Sequence, residues 1–161
     1  MLLAAVPLLS VELLAENTQT EVPHVESEHE DHFHHVGVFF GAATRFVDTH
    51  SSETGAAIGL DYEHTFAPRW GVGGVVEFVT FNNNHRDLAV ALPISYHAFK
   101  RIKIAAGPGL EIASGHAELM LRVSASYTIE LGNWTLSPEI AGDVTRESVV
   151  VTYGLSLGRG F

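Results

Sequence analysis

The sequence contains no cysteine, which removes disulfide frameworks, thiolate metal sites and cysteine nucleophiles together. Cations are also scarce: 9 Lys and Arg stand against 19 Asp and Glu. The basic surface that tracks phosphates is therefore missing, and no nucleic-acid partner is expected. No run reaches the roughly 18 apolar residues of a spanning helix, and no extended stretch carries apolar residues at helical spacing. A helical membrane protein is excluded on that ground, although 46% of the 161 residues are hydrophobic. Glycine is abundant, with 15 residues, and the length suits one domain.

Charge divides the chain. Residues 1–35 hold seven acidic groups and no Lys or Arg, while residues 36–161 hold twelve acidic groups and all nine basic ones. The opening "MLLAAVPLLSVELLA", Met1 to Ala15, has the length and apolar core of a signal peptide but lacks a positive n-region. It reads as an export signal, the alternative being a short apolar helix of the mature protein. Residues 16–35, "ENTQTEVPHVESEHEDHFHH", form an acidic, His-rich tail or linker.

From Val36 the period becomes two. Val36, Val38, Phe40, Ala42, Thr44 and Phe46 share one parity, against Gly37, Phe39, Gly41, Ala43 and Arg45. The same split recurs in seven further runs, so the sequence predicts eight strands over 36–161. Runs of roughly 9–14 residues suit a tilted strand crossing the hydrocarbon core. The polar parity is crowded with Gly, Ala and Ser beside Arg45, Asp61, Glu63, Glu77, Lys103, Glu111, Arg122, Glu130, Glu139 and Asp143. A water-facing sheet has no need of small residues there, whereas the cramped interior of a small closed barrel does. The apolar parity then faces lipid. The expected fold is all-β: an eight-stranded antiparallel up-and-down transmembrane barrel.

Turn parity points the same way. Facing residues keep their side if Ala67–Arg69 and Phe99–Arg101 are three-residue turns, pairing Phe66 with Trp70 and Ala98 with Ile102, and if Gly132–Asn133 is a two-residue turn with glycine first. These tight turns share one rim, and the polar loops of the other rim are expected to be longer. An even strand count places both termini on the tight-turn side, which in bacterial barrels is periplasmic. Tyr62, Phe66, Trp70, Tyr96, Trp134 and Phe161 would gather there as an aromatic girdle.

The end "YGLSLGRGF" resembles the terminal strand of Gram-negative outer-membrane barrels, and residues 36–161 resemble the small eight-stranded barrels of the outer membrane protein A and X type. The resemblance implies that Phe161 is an assembly signal read by the barrel-assembly machinery, and that outer-membrane lipids surround the wall. Arg159 departs from the pattern, standing where the family usually has an aromatic or apolar residue. For segments such as "GLDYEHTFAPRWGVGGVVEF" the resemblance implies a fold and no activity.

Lipid hydrolases built on such barrels place Ser, His and a carboxylate on the outer face near the external rim. The outward positions there are Phe46, Phe78, Thr80, Leu88, Leu119, Val144 and Val149, and no Ser and His share an outward strand. No enzyme is expected, nor an open pore, because side chains fill an eight-stranded interior. The inner carboxylates and cations read as a plugging network. The alternative special role is metal binding. His24, His29, His32, His34 and His35 lie among carboxylates, a donor set suited to zinc or copper. His34 and His35 would enter the barrel at the rim where His64 and His97 leave it.

Overall fold

The structure, a computed structural model, describes residues 33–48, 51–82 and 85–161. The opening Met1–Ala15 and the tail histidines His24, His29 and His32 lie outside the described residues. The alternating segments are β1 (His34–Asp48), β2 (Ser51–Ala67), β3 (Trp70–Phe81), β4 (Arg86–Ala91), β5 (Ile94–Phe99), β6 (Ile102–Ala113), β7 (His116–Tyr127), β8 (Ile129–Leu131), β9 (Trp134–Val144) and β10 (Val149–Gly160).

These segments make eight staves. β4 and β5 are halves of one stave, since β3 and β6 each pair with both. The break falls at Leu92–Pro93, where proline has no N–H for the ladder. Backbone bonds still hold the break from both sides: Leu92 N donates to Pro108 O at 3.0 Å and Gly73 N to Pro93 O at 2.9 Å. β7 and β8 form another stave interrupted at Thr128, in which β7 pairs with β6 and β9 and β8 with β9. Each stave is antiparallel to its neighbours, and β10 pairs with β9 on one side and β1 on the other. The ring is closed, so no strand edge is left to template association.

Burial is inverted relative to a protein dissolved in water. Leu119 is 77% exposed and Glu77 only 2%. Along β3, Trp70, Val72, Val76 and Phe78 face out while Gly71, Glu77, Val79 and Phe81 face in. Such an apolar outer belt is stable only against hydrocarbon, where the ladder satisfies every backbone group internally.

One rim, here the terminal rim, carries His34 and Phe161 together with three tight turns. Two of these turns are tighter than expected. Ala67 pairs with Trp70 across Pro68–Arg69, and Phe99 with Ile102 across Lys100–Arg101, each turn having two residues with a bulge at Phe66 or Ala98. A bulge adds one residue to one strand, so a two-residue turn plus a bulge preserves the parity that a three-residue loop would. Gly132–Asn133 is the expected glycine-first turn, with Gly132 at φ +66°.

The opposite, distal rim departs further from expectation. Ala113 pairs with His116 across Ser114 (φ 49°) and Gly115 (φ 81°), the two positive φ values of a type I′ hairpin. That loop is as short as the turns of the other rim. The β1–β2 hairpin instead gains height. Its strands have 15 and 17 residues against the ~9–11 that a tilted crossing requires, and Ser52 to Thr54 pair with β1 beyond the end of β3.

Two glycines show why the inner parity needs small residues. A Cβ on Gly71 would overlap Glu63 Oε1 and stand 2.6 Å from Ser95 Oγ, and one on Gly37 would overlap the Asp61 carboxylate. The charged side chains of β2 lie across these bare backbone positions. Gly71→Val is therefore expected to displace the Glu63 carboxylate and destabilise the barrel. On a gel the compact, heat-shifted band should be lost at a lower temperature than in the wild type, and an unchanged temperature would refute the packing argument.

Candidate functional site in the lumen

The inward side chains form three charged tiers. At the distal end Arg45 of β1 donates to Asp87 of β4 and Glu111 of β6, and its guanidinium lies over the Phe81 ring at 4.8 Å. At mid-height Arg122 of β7 donates to Asp143 Oδ2 at 2.9 Å and Glu77 Oε2 at 2.6 Å, while Thr152 Oγ1 donates to Glu77 Oε1 at 2.9 Å. Toward the terminal rim Lys103 Nζ donates to Glu63 Oε2 at 3.0 Å. Glu63 Oε1 also receives Ser95 Oγ at 2.7 Å and meets His97 Nε2 at 2.6 Å.

Each tier joins staves that are not all neighbours, so the ion pairs bridge the lumen as well as the wall. The middle tier is the driest, with Arg122, Glu77, Asp143 and Thr152 at most 3% exposed. Charge-assisted bonds of this geometry offset the cost of burying charge. In the distal and middle tiers two carboxylates share one cation, and Asp87 Oδ1, Glu111 Oε2 and Asp143 Oδ1 have no bonding partner among the described residues.

Two cavities flank the middle tier. The distal one, of about 160 Å³, is lined by Arg45, Glu111, His116, Glu118 and Glu147 among others. The terminal one, of about 190 Å³, is bordered by His35, Asp61, Glu63, His97, Lys103 and Glu139. In the latter His35 Nε2 lies 2.9 Å from Thr135 Oγ1 and His35 Nδ1 3.8 Å from Asp61 Oδ1. Hydroxyl, imidazole and carboxylate stand in hydrolase order, but the second separation is too long for the hydrogen bond that orients a catalytic imidazole.

The sequence-derived residues fall as follows. Arg45, Asp61, Glu63, Glu77, Lys103, Glu111, Arg122, Glu139 and Asp143 all project inward. Glu130 does not join them, which corrects the expectation. It is exposed on β8, whose only ladder is with β9, so the inward parity there points into no enclosed space. Asp87, Ser95 and Thr152 complete the tiers and were not among the expected network. Their inner parity was legible, but which residues meet across the lumen depends on barrel stagger.

The four histidines of the terminal rim are divided by the wall. His34 and His64 pair in register on the outer face with ring centroids 4.8 Å apart. His34 Nδ1 lies 2.8 Å from the Tyr62 hydroxyl. His35 and His97 line the terminal cavity instead. Among the described residues no group of three or more His, Asp or Glu side chains is placed to hold a metal ion. Within the described barrel the two pairs lie on opposite sides of the wall and do not meet. Phe161 closes the ring: its N donates to His34 O at 2.9 Å, it accepts from His34 N at 3.1 Å, and its ring stacks on His34 at 5.5 Å.

A closed antiparallel ring of eight staves, with charge inside and an apolar belt outside, defines an integral membrane β-barrel. Solved structures it is similar to include small outer-membrane β-barrels. Against Ail, the attachment invasion locus protein of Yersinia pestis, the TM-score is 0.55 at 14% identity, covering 80% of this chain and 97% of that one. Against Neisserial surface protein A the TM-score is 0.62 at 7% identity, with the same coverage of 80% and 97%. A de novo designed transmembrane β-barrel scores 0.54 at 14% identity, covering 77% and 94%. At these identities the likeness is one of fold. At the level of sequence, no family model and no curated protein matches the chain.

Two outcomes follow from the lumen. Arg122→Ala leaves Glu77 and Asp143 without their shared cation and should cost about 3–5 kcal/mol in reversible urea unfolding of the lipid-folded protein, whereas Glu130→Gln should stay within about 0.5 kcal/mol. In a zinc titration of the full chain, His64→Asn combined with His97→Asn is expected to leave uptake unchanged. A loss of stoichiometric binding in that variant would show that the two sides of the wall act together.

Proposed function

We propose that this is a non-enzymatic integral protein of the bacterial outer membrane, exported by its apolar opening, with its lumen plugged and a structural or binding role. The observation that carries the reading is the Arg122–Glu77–Asp143–Thr152 tier, which fills the mid-lumen with mutually bonded side chains. The His-rich tail and the terminal rim face the periplasm, and the strand ending on Phe161 is the segment the barrel-assembly machinery reads. A lipid hydrolase is disfavoured by the outer face, where Phe46, Phe78, Leu119, Val144 and Val149 occupy the distal positions. The second reading is zinc or copper binding on the periplasmic side through the His-rich tail, with His24, His29, His32, His34 and His35 as donors.

Planar-bilayer recording tests the plug: the wild-type protein should show no stable conductance steps at neutral pH, and regular steps would overturn it. Orientation is read separately. Protease added to intact cells should spare the tail and should remove it once the outer membrane is permeabilised.

A further inference from the structure

The cations outside the three luminal tiers are unevenly placed. Arg69, Lys100, Arg101 and Arg159 lie at the terminal rim, where Lys100 also borders the luminal cavity, and Arg86 and Arg146 lie at the distal one. Three of the first group occupy the turns of two successive hairpins. His97 N donates to Arg69 O at 2.9 Å, and Thr128 N donates to Arg101 O at 2.7 Å, so each turn is tied to the stave beside it along one arc of the rim. All three side chains are exposed.

Below the arc Trp70 pairs with Tyr96 in register, their ring centroids 4.9 Å apart. Phe99 projects beside them, 71% exposed. Arg101 Nη1 stands 3.4 Å from the hydroxyl of Tyr127, an outward-facing residue, which places the guanidinium on the lipid side of the wall. The acid whose charge reaches Arg101 is the exposed Glu130 of β8. The next turn around the rim, Gly132–Asn133, also precedes a tryptophan, Trp134, but carries no cation.

Tryptophan and tyrosine settle at headgroup depth, and cations held at that depth attract anionic lipid. Guanidinium groups add a planar fork that matches phosphate oxygens. We propose that Arg69 and Arg101, on the arc above Trp70 and Tyr96, bind the phosphate of an anionic glycerophospholipid in the surrounding leaflet. The inference rests on the terminal rim facing the periplasmic leaflet, which the protease experiment reads without reference to lipid preference.

The two tryptophans of the sequence allow a direct test with the full chain in mixed bilayers. In a Trp134→Phe background, Trp70 reports the arc. Brominated phosphatidylglycerol should quench it with a relative association at least about threefold above brominated phosphatidylcholine. Arg69→Gln and Arg101→Gln combined should abolish that preference while leaving the heat-shifted band intact. In a Trp70→Phe background, Trp134 should show none. Equal quenching by both lipids at Trp70, an unchanged preference in the double variant, or a stronger preference for lipid A than for phosphatidylglycerol would each overturn the assignment.

Discussion

The buried ion pairs around Arg122 are the interaction on which the rest of the barrel depends. A ring of eight staves is too narrow for an aqueous channel and too wide to close on backbone alone, so its centre must be filled by side chains. Filling it with leucine would erase the distinction between the two faces of each strand. Filling it with charge preserves the distinction, provided each charge meets a partner. Arg122 meets Glu77 and Asp143, and Thr152 takes the remaining Glu77 oxygen. Small residues are then required wherever a long charged side chain crosses the wall, as Glu63 does over Gly71.

How far the fold was legible in the sequence follows from what a period of two can encode. Alternation carries the face of every strand residue, so the inward set and the lipid belt could be read before any contact was known. Bulges at Phe66 and Ala98 were invisible because they conserve parity while shortening the turn. Glu130 was misplaced for a different reason. Parity says which way a side chain points, and burial also needs a wall on both sides, which β8 lacks. The pairing of Arg45 with Asp87 and Glu111 could not be read at all, since it depends on how far the staves are staggered around the ring.

The histidines show the opposite case, in which the alternation itself carries the answer. His34 and His64 share the outward parity, and His35 and His97 the inward one. Proximity to one rim suggested a common site, yet the backbone lies between the two pairs. The outer pair joins the Tyr62 and Phe161 rings in the girdle, and the inner pair joins the polar groups of the terminal cavity. A single period thus distributes one residue type between two solvents.

The ladder between β1 and β10, from His35↔Gly160 to Phe46↔Val149, has a consequence in time as well as in space. Those pairs join residues more than a hundred positions apart, so the loop-closure entropy of almost the whole barrel is met in one step. Until that seam forms, β1 and β10 both present unpaired backbone, which hydrocarbon does not tolerate. The chain therefore has no stable half-inserted intermediate built from its first staves alone. Insertion must either await a nearly complete sheet or borrow a temporary neighbour for the open edge.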